Sequence, residues 1–281
     1  MRMSRRRFLQ GALAAGVLAA GGAFFGRKFW WPSAMHKAQA LAGGLDVRAL
    51  RQLMTKDPAV SRRILWETAT ELPAPAVEYR LSGSTQSQLQ PAVDESFTDD
   101  AVTHHQYAAA LEGLTPGTAY EYRITDGKEA GDWQMLRTPE ENGSFLALLF
   151  PDSQSNNYSD WQQLVHGAAA RNEAADFFIN MGDLVDNGED HTQWDAWFDA
   201  VQELSARVPL APLMGNHETY DLKWNVRLPE AYLHYFDVPA NGSAQFEKYY
   251  YSFDYGLAHF MVLNTQWDET EEFLPGLMAE Q

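Results

Sequence analysis

Three short polar clusters, each closing an apolar run, hold the residue types that bind cations and move protons. Pro151-Asp152-Ser153-Gln154 follows the run at 145–150. Gly182-Asp183-Leu184-Val185-Asp186 follows the run at 177–181, and Gly215-Asn216-His217-Glu218 follows the run at 208–214. Carboxylate, amide oxygen and imidazole are the hard-to-borderline donors that suit Mn, Fe or Zn, and two such ions a few ångströms apart can share one carboxylate. Each cluster also has a plainer reading. Asp152 with Ser153 fits a helix N-cap, Gly182-Asp183 fits a turn, and Asn216 with His217 fits a loop held by Asx-type hydrogen bonds.

The elements that would position these clusters alternate. Apolar runs of strand length at 145–150, 177–181 and 208–214 are separated by helix-like stretches at 161–172 and 191–204. That order predicts a parallel or mixed sheet covered by helices. In open sheets of this kind functional groups gather beyond the carboxyl ends of the strands, which would deliver Asp152, Asp183, Asn216 and His217 to one rim. Upstream, residues 61–138 change to period-two alternation: Val77, Tyr79 and Leu81 around Glu78 and Arg80, then Tyr120, Tyr122 and Ile124 around Glu121 and Arg123. Half-buried strands of a β-sandwich read this way. Residues 43–58 read as a linker with a helical turn within 45–54. His104 and His105, inside the sandwich segment, read as solvent-facing or packed, His166, His191 and His234 as surface or interface histidines, and His259 as packed. Aromatic residues in 221–243 read as packing along the wall of the site.

Composition limits the partners. The chain has 281 residues, 45% hydrophobic and 21% charged, enough to bury a core, and net charge −17. Residues 1–42 carry seven Arg or Lys and no acid, so the remainder stands at −24. Such a body repels nucleic acid and anionic membrane. The absence of cysteine excludes disulfides, cysteine-based zinc sites and thiol nucleophiles.

The first 42 residues read as an address. Ser4-Arg5-Arg6-Arg7-Phe8-Leu9-Gln10 precedes fifteen residues, 11–25, of only Gly, Ala, Val, Leu and Phe. This order of charge then short apolar region is that of a signal peptide. The arginine pair followed after one residue by Phe-Leu resembles the bacterial twin-arginine signal, which implies the twin-arginine translocation machinery as a partner and a periplasmic or extracellular destination. The apolar stretch is shorter than the ~20 residues that span a bilayer. Ala38, Ala40 and Ala42 offer cleavage positions, and without cleavage the segment is a membrane tether.

The ordered set Gly182-Asp183, Gly215-Asn216-His217-Glu218 and the hairpin-like segment 248–263 resembles the calcineurin-like metallophosphoesterases. The preceding sandwich narrows the resemblance to the purple acid phosphatases. Within it, Leu114-Thr115-Pro116-Gly117-Thr118 leading into Tyr120-Glu121-Tyr122 is similar to a fibronectin type III corner. The implied fold is an all-β sandwich at 59–140 followed by an αββα-type α/β metallophosphoesterase domain at 144–281, incomplete at its C-terminal end. The resemblance implies that Asp152 binds a first metal, Asp183 bridges two, Asn216 binds the second, and His217 serves a small phosphorylated substrate as hydrogen-bond donor or general acid. The ions implied are two divalent or trivalent cations, Fe, Mn or Zn.

Two positions depart from that pattern. Asp186 stands where the purple enzymes carry the tyrosine that colours ferric iron, and Gln154 stands where many relatives outside the purple group carry histidine. No histidine follows Leu263, whereas the family continues with a further His and a Gly-His-x-His segment. The expectation is therefore a fragment of an exported metal-dependent phosphoesterase, with a degenerate, non-catalytic cell-surface binding protein as the alternative.

Overall fold

A computed structural model describes residues 45–155, 157–266 and 275–281. The twin-arginine segment at 1–42 lies outside the described residues. No described helix is long and apolar enough to cross a membrane.

The strands of the first half are β1 (Arg48–Leu53), β2 (Ser61–Thr68), β3 (Ala76–Leu81), β4 (Gln88–Pro91), β5 (Val93–Asp94), β6 (Phe97–Asp99), β7 (Val102–Glu112), β8 (Ala119–Thr125) and β9 (Gln134–Arg137). The second half adds β10 (Ala147–Phe150), helix α1 (Tyr158–Arg171), β11 (Phe177–Met181), helix α2 (His191–Ser205), β12 (Leu210–Leu213), helix α3 (Glu230–Tyr235), and the hairpin β13 (Tyr251–Tyr255) with β14 (Ala258–Val262).

One eight-stranded sheet runs through both halves in the order β10-β11-β12-β1-β2-β7-β5, with β6 also on β7. β10, β11, β12 and β1 are parallel, and β1-β2-β7-β5 are antiparallel. The second sheet, β4-β3-β8-β9, closes the sandwich. β1 is the splice: Leu53 pairs with Leu210 on one side and with Arg63 on the other. The helical turn expected within 45–54 is thus corrected to a strand, and the sandwich sheet begins before residue 59. Local pattern gave no sign of it because β1 is covered on both faces, which erases alternation.

The alternation along β2 shows why two cores share one sheet. Ile64 and Trp66 face the sandwich interior with Val77, Tyr122 and Leu136, whereas Leu65 between them faces the second half with Phe177, Phe178, Trp194 and Trp197. Full burial of a side chain such as Phe177 contributes about 2–3 kcal/mol.

The helices form where caps and periodicity coincide. Asn157 caps α1 by accepting from Ser159 N, and Tyr158, Trp161, Val165 and Ala169 make its buried stripe. Asp190 caps α2, whose Trp194, Trp197, Val201 and Leu204 pack inward. Asp152 and Ser153 therefore do not cap α1. A buried cation joins the halves: Arg51 donates from Nε to the Tyr235 carbonyl (2.9 Å), from Nη2 to that carbonyl (2.6 Å) and to Gln106 Oε1 (2.5 Å), and from Nη1 to the Ala49 carbonyl (2.7 Å). Its guanidinium lies 4.8 Å from the Phe198 ring centre, and burial lowers its pKa to about 10.

The histidines sort by face. His104 is buried and bonded through Nδ1 to Glu67 (3.0 Å), and its ring lies 4.5 Å from that of His191 across the junction of the halves. His234 stacks on Phe97 at 4.4 Å. The reading of His259 as packed is corrected: its side chain is 55% exposed and bonds Asp254 at 2.6 Å, because strand alternation puts its neighbour Phe260 on the core side.

Candidate metal centre

The tips of β10, β11 and β12 converge on Asp183. From the first loop, the N–H groups of Ser153 (3.0 Å) and Gln154 (2.8 Å) donate to the Asp183 carbonyl. From the third, the N–H of His217 donates to Asp183 Oδ1 at 3.0 Å. A methyl group at Gly215 would overlap the Asp183 carboxylate, and one at Gly182 would press on the Gly215 backbone, so only glycine lets the two loops approach this closely. Asp183 itself has φ +47, a conformation that costs a non-glycine residue about 1–3 kcal/mol and is kept at functional sites.

Beneath the loops a carboxylate binds backbone. Glu218, 2% exposed, accepts from Gly215 N (2.7 Å), Leu184 N (2.8 Å), Asp183 N (3.0 Å) and Val185 N (3.3 Å). Burial pushes its carboxyl up to about 7. The Gly215, Val185 and Leu184 N–H groups pull the other way, and the Asp183 charge adds to the rise. The first loop is fixed by a separate buried network: Ser153 Oγ accepts from Trp197 Nε1 (3.0 Å) and lies 3.1 Å from Asn180 Oδ1, while Asn180 Nδ2 donates to the Pro151 carbonyl (3.1 Å).

The side chains sort into donors already engaged and donors left open. Asn216 Nδ2 donates to the Tyr220 hydroxyl at 3.0 Å, which turns the amide oxygen away from that contact. His217 Nδ1 lies 2.7 Å from the Asp186 carbonyl, an acceptor only, so Nδ1 carries a proton and Nε2 is the atom left for a ligand. Gln154 Oε1 is buried without a partner, and Asp152, next to it in the loop, is exposed. Among the described residues no three His, Asp or Glu side chains group around one point. A cation here would draw on amide oxygen as well as carboxylate. The donors of Asp152, Asp183 and Asn216 and the unpartnered Gln154 oxygen fit hard cations.

Glu218 and Tyr220 have no role legible in the sequence, and Trp224 reads there only as packing along the wall of the site. Glu218 was legible as part of Gly215-Asn216-His217-Glu218, but nothing local shows a carboxylate folding back under a loop 35 residues away. Tyr220 and Trp224 carried only an aromatic signal, which packing explains equally well.

A parallel sheet whose adjacent strand tips bring together carboxylate, amide and imidazole, carried on a β-sandwich through a shared sheet, defines a metallophosphoesterase-type scaffold. The family model for calcineurin-like phosphoesterases matches residues 130–274, and the model for the N-terminal domain of purple acid phosphatases matches residues 49–138. The chain belongs to the calcineurin-like phosphoesterase family.

Among curated proteins it is 36% identical over 211 residues to purple acid phosphatase 23 of Arabidopsis thaliana, covering 65% of this chain and 44% of that protein. It is 38% identical over 208 residues to purple acid phosphatase 15 of the same plant, covering 63% and 37%. The solved structure of purple acid phosphatase PPD1 from yellow lupin (Lupinus luteus) seeds superimposes with TM-score 0.66 at 20% identity, over 84% of this chain and 48% of that one. The chain thus spans less than half the length of these relatives.

Proposed function

We propose that this chain carries the strand-tip centre of an exported, metal-dependent phosphoesterase in which water attacks phosphorus without a covalent enzyme intermediate. The observation that carries the reading is the meeting of three loops at Asp183, a strained carboxylate at the point where the glycines allow closest approach. Asp152, Asp183 and Asn216 would hold two cations of Fe, Mn or Zn. When bound, they supply positive charge to the phosphoryl oxygens and acidify the attacking water. His217 is held through Nδ1 by the Asp186 carbonyl, which leaves Nε2 free of that contact to donate a proton to the leaving oxygen. Asn216 is oriented by Tyr220, and Glu218 keeps the Asp183 and Gly215 loops in contact. The arginine pair Arg5-Arg6 supports export of the folded protein by the twin-arginine machinery.

The test is metal uptake and hydrolysis by the same protein. Elemental analysis and titration with Mn, Zn or Fe are expected to show binding, weakened at least about 10-fold by Asp183→Asn. His217→Asn is expected to keep the metal and lose about 100-fold or more in hydrolysis of aryl phosphate mono- or diesters. Equal metal affinity in the Asp183→Asn protein defeats the assignment. Failure to take up any of the three metals favours a non-catalytic binding scaffold. For export, replacing Arg5 and Arg6 with lysine should trap a reporter fused to residues 1–42 in the cytoplasm.

A further inference from the structure

Trp224 stands beside His217, exposed to water in a way that core packing does not explain. The other aromatic side chains of its segment are in the core: Tyr232, Tyr235 and Phe236 are each 0–1% exposed. Trp224 is 56% exposed and has φ +65, the left-handed region, although it is neither glycine nor asparagine. An indole in water forgoes the burial that makes tryptophan stabilising, and the backbone adds strain. A residue that gains nothing from the core and is held in this conformation is held for something outside the fold.

The loop is built to hold it there. Tyr220 and Val226 form an isolated bridge, and Asp221 binds the turn from within, accepting from Lys223 N (2.7 Å), Asn225 N (2.8 Å) and Asn225 Nδ2 (2.9 Å). From the Gly182–Asp190 side, Asn187 Nδ2 donates to the Asp221 carbonyl (2.5 Å) and Glu189 Oε2 accepts from Leu222 N (2.6 Å). The indole meets the His217 ring edge-on at 6.0 Å and the Tyr220 ring at 5.7 Å, and Tyr220 is also 5.3 Å from His217. The exposed indole is thus fixed beside the imidazole assigned to the leaving group and beside the tyrosine that orients Asn216.

We propose that Trp224, backed by Tyr220, is a stacking platform for the leaving group, and that the substrates are phosphate esters of flat aromatic alcohols. This rests on the phosphoesterase reading. In the reaction water adds its oxygen to phosphorus and releases a proton to solvent, the bond from phosphorus to the aryl oxygen breaks, that oxygen leaves with a proton from His217, and His217 regains a proton from solvent. Phosphate and the free aromatic alcohol result. Stacking of a flat ring on an aromatic side chain is sequence- and substituent-tolerant, so the platform selects the class of leaving group and not one compound.

The experiment uses the metal-loaded 281-residue protein with 2-naphthyl phosphate and glycerol 2-phosphate as probes. Trp224→Asn removes the ring while tolerating the left-handed backbone, and Trp224→Phe restores a ring. The ratio of kcat/KM for the aryl over the alkyl ester should fall about 10-fold in Trp224→Asn, mainly through KM, and recover at least half of that loss on the logarithmic scale in Trp224→Phe. An unchanged ratio in Trp224→Asn overturns the proposal, as does a Trp224→Phe protein no better than Trp224→Asn. The second readout needs no turnover: 2-naphthylphosphonate should quench a component of tryptophan fluorescence that is missing in Trp224→Phe. If the wild type hydrolyses neither ester, the phosphoesterase reading fails and quenching alone decides the platform. Quenching through Trp224 then sustains it, and its absence overturns it.

Discussion

The buried carboxylate of Glu218 accepts the backbone N–H of Asp183 at 3.0 Å, and so the residue that closes the third motif fixes the central residue of the second. Its other oxygen takes Leu184 N at 2.8 Å, while Gly215 N reaches the first oxygen at 2.7 Å. One side chain thereby holds two strand tips and satisfies backbone donors that water cannot reach.

Replacing Glu218 with alanine strands those donors. The expected cost is about 3 kcal/mol, a fall in Tm of roughly 6–12 °C, with metal affinity falling in parallel. Thermal unfolding by circular dichroism checks this, and a Tm within about 1 °C of wild type would show that the carboxylate is not needed to hold the loops.

Gly215→Ala should act on the same contact from the other side, since its methyl group would overlap the Asp183 carboxylate. The expected result is a soluble protein that no longer takes up metal, or one destabilised by about 2 kcal/mol or more. Gly131→Ala is the control, because a methyl group there meets no atom closer than the Ile124 carbonyl at 3.8 Å. Its stability should stay within about 0.5 kcal/mol.

Asp195 gives the pH dependence at the junction of the halves. Burial, then the charge of Glu67, raise its carboxyl to about 6; Arg48 opposes and Asp199 adds to the rise. A carboxyl raised above 3.8 holds its proton more tightly in the native state, so stability falls as pH climbs from 3.8 to about 6 and the deficit is complete above that. Asp195→Asn should therefore match wild type near about pH 4 and exceed it by about 2–3 kcal/mol near about pH 7.5. Urea unfolding at both pH values measures the gap, and a gap that does not widen with pH contradicts the assignment.

Arg51 predicts how the halves depend on each other. Removing a buried cation that satisfies the Tyr235 carbonyl and Gln106 should cost about 3–5 kcal/mol in Arg51→Ala. Arg51→Lys should recover little, because one ammonium cannot reproduce three separate donor positions around a planar group. Limited proteolysis near residues 139–146 reports loosening of the junction, and wild-type protection in Arg51→Ala would count against the clamp.

Much of the fold was readable because periodicity survives where one face is wet. Val77 and Tyr79 alternate with Glu78 and Arg80, and the observed strand is Ala76–Leu81. The apolar run at 177–181 is β11, and α2 begins at His191, where the helical pattern of the sequence starts. Readability failed at β1, whose Arg51 and Gln52 are polar yet wholly buried. Their partners are the Tyr235, Ala49, Met135 and Ala206 carbonyls and Gln106, mostly far away in the chain, so no window around residue 50 contains the reason for burial.

The amino-acid sequence by itself determined the donor chemistry, the order of the strand-tip clusters and the glycines that let them meet, because these depend on residue type and local spacing. Only the tertiary structure decided that the two halves share one sheet through β1, that Glu218 supports the Asp183 loop, and that Trp224 stays in water beside His217. The physical reason is that hydrogen-bond satisfaction and burial are set by groups distant in sequence, and a chain reveals its distant neighbours only once it is folded.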